Sequence, residues 1–158
     1  MEDDERTKDW AAREAAKHLR KEQESANAKE RTDRHERLKD EGGLEHFARL
    51  REWMSQQTKS FNEQVKKRAF EVGEIKPVGG ADWHHFFEVS DPNRERLAMK
   101  IFYRSAPHGI TVEQQGTAPK QYSVEVGDKD NLRFETRDGQ PKTIEDLGTE
   151  LLDSFHRP

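Results

Sequence analysis

The chain has 158 residues and a formal net charge of −4, and its charged side chains (38%) outnumber its hydrophobic ones (30%). Large apolar side chains are scarce and unevenly spread: residues 1–43 hold only Met1, Trp10, Leu19 and Leu38, so a core can form only from residue 44 onward. The lack of cysteine excludes a disulfide frame, a thiolate metal site and a cysteine nucleophile. No apolar run approaches the ~20 residues of a membrane-spanning helix, and no segment is basic enough to give nucleic-acid binding an electrostatic footprint.

Residues 1–43 are predicted to form a highly charged helical arm. Proline is absent, glycine is absent until Gly42-Gly43, and Ala, Glu, Lys and Arg dominate. Acids precede bases by four positions at Asp9–Arg13, Glu30–Arg34 and Asp33–Arg37, the favourable order along a helix. Ser25-Ala26-Asn27 is the weakest stretch and the expected joint. Trp10, Ala15, Ala16 and Leu19 are expected to make one short apolar patch, which falls well short of the sustained seam of a coiled coil. The acidic start, Met1-Glu2-Asp3-Asp4-Glu5, is unlike a secretory signal, and a cytoplasmic location is expected.

Gly42-Gly43 is expected to end the arm, and residues 44–158 to form one α+β domain. A long amphipathic helix is predicted over 44–68, with Leu44, Phe47, Leu50, Met54, Phe61 and Val65 on one face. From Phe70 the pattern alternates with period two, giving strands over 70–78, 83–89, 97–104, 109–115, 120–126 and 131–136. Turn residues separate them, and the connections are too short for crossover helices, so an antiparallel meander of five to six strands is predicted. After a turn over 138–141, a C-terminal helix is predicted over 143–156, capped by Thr143 with Asp146 three residues on.

Few residues point to chemistry. Asp82-Trp83-His84-His85 invites a metal reading, but adjacent strand residues point to opposite faces, so the two rings cannot easily share one ion. Asp128-Lys129-Asp130-Asn131 begins like a calcium loop and lacks its glycine and closing glutamate. No phosphate-binding glycine pattern and no nucleophile elbow occurs, so neither a cofactor nor a catalytic residue is assigned. The alternation does place Phe86 and Phe102 on the polar face of the sheet, beside Lys100 and Arg104. Two phenylalanines there call for a covering surface: helix 44–68 or the N-terminal arm of the same chain, a protein partner or second copy, or single-stranded nucleic acid.

The leading expectation is a non-enzymatic interaction or assembly protein that meets a protein partner, or a second copy, through Trp10, Leu19, Phe86, Phe102, Lys100 and Arg104. A ligand-binding or enzymatic domain is the alternative, with a pocket between sheet and helix that uses His85, Tyr103 and His108. Single-stranded nucleic acid stacking on the two phenylalanines is the second alternative.

Overall fold

A computed structural model describes residues 2–79 and 84–156, with side chains from residue 9 onward except those of 95 and 96. The chain divides into two compact units, Met1–Arg37 and Leu38–Pro158.

The first unit is helical, part of a helix α1 whose bounds are Glu2–Val65. Its side chains from residue 9 to residue 34 are exposed. Local pairs support it: Lys17 bonds Glu14 at 3.4 Å and His18 meets Glu22 at 3.0 Å. The expected joint at Ser25-Ala26-Asn27 does not interrupt the helix. Asn27 Oδ1 accepts a bond from Gln23 Nε2 at 3.1 Å, so the polar side chain supports the helical turn instead of competing with it. Trp10 and Leu19 do not form one patch either. Nine residues of α-helix are two and a half turns, which sends the two side chains to opposite sides.

The second unit is the folded α+β body, with an antiparallel sheet and helix α2 (Ile144–His156) beside residues 38–65 of α1. α1 does not stop at Gly42-Gly43 as the sequence led us to expect. The two glycines lie inside the helix because the sheet comes close there. A methyl group on Gly43 would overlap the Tyr103 hydroxyl and stand 3.4 Å from His108 Nδ1, and one on Gly42 would be 3.0 Å from Leu132 Cδ1. Close packing is therefore what keeps glycine at a helical position that propensity disfavours by about 1 kcal/mol. The helix ends at Val65, three residues before the predicted boundary. Lys66 turns left-handed (φ 54°), and the Asn62 side chain closes the exit by accepting from the Ala69 and Phe70 amides and donating to the Phe70 carbonyl.

The strands are β1 (Glu71–Val72), β2 (Lys76–Pro77), β3 (His85–Asp91), β4 (Arg94–Ser105), β5 (His108–Gln114), β6 (Lys120–Val126), β7 (Leu132–Glu135) and β8 (Pro141–Lys142). All pairings are antiparallel, in the order β1-β3-β4-β5-β6-β7-β8, with β2 also paired to β3. The segment read as one strand over 70–78 is two short ones, because Arg51 of α1 claims the backbone between them (Nε to Gly73 O, 3.0 Å). Part of the turn read over 138–141 joins the sheet as β8, with Phe134 opposite Lys142.

The register His85↔Tyr103, Phe87↔Ile101, Val89↔Met99 puts the alternating apolar set on one face, as the period-two pattern requires. Phe47, Leu50 and Met54 of α1 and Leu147, Leu151 and Phe155 of α2 fill that face together with Val124 and Phe134. Each such side chain contributes roughly 1.5–3 kcal/mol of gross burial energy. Gly148 lets α2 lie against Trp53, whose ring a methyl group would overlap. Thr143 caps α2 reciprocally: its Oγ1 accepts from the Asp146 amide at 3.0 Å, and Asp146 Oδ2 accepts from the Thr143 amide at 3.4 Å. Among the described residues, no helix is long and apolar enough to cross a membrane.

Candidate functional site

The helices cover one face of the sheet, and the side chains of its other face come from the even-numbered positions of β3 and β4. Here Phe86 and Phe102 are directly opposite in register, and their rings stack at 5.6 Å between centroids with 25° between planes. Both rings are half-buried. The adjoining row runs Glu88, Lys100, Glu113 across β3, β4 and β5, so charges alternate along it. Arg104 lies one row to the other side of the rings, with Gly109 opposite it. Four of the predicted interaction residues, Phe86, Lys100, Phe102 and Arg104, are thus brought into one patch. Thr111, opposite Phe102, is buried there with a hydroxyl that has no partner. Trp10 (60% exposed) and Leu19 (63%) belong to the first unit.

The ligand alternative named His85, Tyr103 and His108, and these are also neighbours. His108 opens β5 and is buried. The Tyr103 hydroxyl lies 3.2 Å from His108 Nδ1, and Asp40 Oδ1 lies 2.7 Å from His108 Nε2. With the imidazole proton on Nε2, the tyrosine donates to the ring and the ring donates to the carboxylate, so every group is used. Burial first, and then the Asp40 charge, push the Tyr103 hydroxyl above its usual range and keep it protonated. His85 is opposite Tyr103 in register, yet its Nδ1 is buried without a partner. Beside Tyr103 the interval between helix and sheet is occupied: Phe47 stacks on Tyr103 at 5.4 Å and tilts against Phe87 at 5.2 Å.

Sequence reading missed Asp40 and Gly43. Asp40 fell in the arm, and the glycine pair read as a helix stop. The signal that could have found them is the run of good helix formers on both sides of Gly42-Gly43 with no proline nearby, a pattern that fits close packing as well as termination. His84 is held by Ser105 (Nε2 to Oγ, 2.8 Å), while Asp82 and Trp83 lie outside the described residues. Among the described residues no group of three or more His, Cys, Asp or Glu could hold a metal ion. Asp128–Asp130 is a single turn closed by the Gly127 amide donating to Asn131 O at 2.7 Å.

No family model matches the chain, and no curated protein or solved structure is significantly similar to it.

Proposed function

We propose that this chain is a non-enzymatic assembly protein whose folded unit docks through the outer face of its sheet. The observation that carries the reading is the stacked Phe86–Phe102 pair, two large, partly buried rings on a face that is otherwise polar. Covering them removes apolar area from water at roughly 25 cal/mol per Å². Lys100 and Arg104 flank the pair and supply polar contacts at its rim. Trp10, exposed on the charged helix, adds a second apolar anchor in the other unit.

Two other readings have weaker support. A ligand or catalytic site would draw on Asp40, His108 and Tyr103, but these groups already satisfy one another, and the tyrosine is held in its protonated, non-nucleophilic form. Single-stranded nucleic acid could stack on the two rings, but Glu88 and Glu113 stand in the adjoining row and would repel phosphates.

The test is the solution mass of the full chain by light scattering across a concentration series. A mass above the 18.5 kDa monomer that falls in Phe102→Ser supports assembly through this face. A strictly monomeric chain at about 0.5 mM, a concentration that populates even weak complexes, overturns the reading.

A further inference from the structure

We infer that the partner on this face is a second copy of the same chain, paired face to face about a two-fold axis that runs parallel to the strands between β3 and β4. The inference rests on the assembly reading above and names its partner and geometry.

The register selects the axis. Glu88 pairs with Lys100 and Phe86 with Phe102 across β3 and β4. A homodimer presents the same patch twice, so the patch must complement itself. An axis along β4 would set Lys100 on Lys100, and one along β3 would set Glu88 on Glu88. An axis across the strands through the phenylalanine row would set Lys100 on Arg104. Each of these brings like charges together at the centre. An axis between β3 and β4 exchanges the two strands: Glu88 of each copy meets Lys100 of the other, twice, and Phe86 of each copy covers Phe102 of the other. The four rings then share one apolar centre with an ion pair on each strand pair beside it.

Twisted sheets that pack with aligned strands diverge by about 30°, so contact is best at the centre and opens outward. The four rings occupy that centre. Strand spacing and rise give a patch of four strands by six residues an area of about 400 Å² per copy. That is below the ~800 Å² per partner of a standard stable interface, so the pairing is expected to be weak and concentration-dependent.

Charge reversal in mixed copies reads this geometry directly. E88K makes both central positions basic, and K100E makes both acidic. Each variant alone should repel itself in the proposed dimer, whereas one copy of each recreates two opposite-charge contacts. Sedimentation equilibrium of the full chain is expected to show a wild-type dimer, association weakened by at least about tenfold in each variant alone, and recovery to within about threefold of wild type in the equimolar mixture. A mixture that associates no better than its components overturns the inference. If the chain associates and neither reversal weakens it, the face is wrong, while assembly stands through another surface. If the wild type stays monomeric at about 0.5 mM, both fail together. Thermal melts check that each variant folds. Should one not fold, Phe102→Ser keeps the charges and is expected to weaken association by about tenfold, and unchanged association in it overturns the inference.

Discussion

At Gly43 two rules pull in opposite directions. Glycine to alanine inside an exposed helix stabilises by about 1 kcal/mol. At Gly43 the added methyl would strike the Tyr103 hydroxyl, and that hydroxyl is fixed by His108. Overpacking of this kind costs about 1–3 kcal/mol, so Gly43→Ala is expected to destabilise the fold by about 2 kcal/mol in urea unfolding. Gly42→Ala is the control: its new methyl meets only the end of the Leu132 side chain, and it is expected to change stability far less. The sign of the Gly43 effect is the test, since a stabilising Gly43→Ala would mean that the helix does not approach the sheet there. A second residue gives a pH prediction. His46 rests against Phe134 at 4.6 Å, with Nε2 buried and unpartnered, and its pKa is lowered from 6.5 by burial and then by Arg49. The folded ring therefore binds its proton less tightly than the unfolded one. Below about pH 6.5 the unfolded chain takes up a proton that the folded chain resists, so this histidine's contribution falls as pH drops from about 7 toward 5. His46→Gln is expected to flatten that part of the pH–stability curve, as read from urea midpoints at several pH values.

At the scale of elements, the edge of the sheet hangs on one arginine. Arg51 of α1 donates to the carbonyls of Gly73 (3.0 Å) and Val72 (3.5 Å) and pairs with Glu74 (3.0 Å). β1 and β2 are two residues each and cannot hold the edge by pairing alone. Arg51→Ala is therefore expected to raise amide exchange across residues 71–77 well before it affects β4 and β5, and unchanged exchange there would show that β3 alone retains the edge. Arg51 also marks what a sequence can disclose. Alternation in 83–89 and 97–104 predicted which face of β3 and β4 is core, and the observed register agrees, because period two leaves little freedom once one face is apolar. Thr143 and Asp146 predicted the α2 start for a local reason. The split of 70–78 was not legible, because it depends on a side chain more than twenty positions away. The same holds for the polar chain from exposed Asp40 through buried His108 to Tyr103, in which one contact joins residues 68 positions apart. Phe86 and Phe102 were legible as neighbours because that contact follows from pairing alone.

For the whole molecule, the informative contrast is between the two units. Leu38–Pro158 owns the core, and its stability comes from burial between helices and sheet. Among its described side chains the first unit buries little: Trp10 and Leu19 are the large apolar ones there, both are exposed, and its local pairs are worth only about 0.2–0.5 kcal/mol each. A helix supported in this way frays progressively, whereas a packed core melts cooperatively. Trp10→Ala should consequently leave the cooperative melting temperature of the full chain within about 1 °C of wild type, because it removes no core contact from the folded unit. Its effect should appear instead in association, where an exposed indole is the kind of anchor that loses most on truncation. The two readouts separate the roles. A melt lowered by several degrees would place Trp10 in the energetics of the folded unit, and unchanged melting with unchanged association would leave the proposed assembly to the sheet face alone.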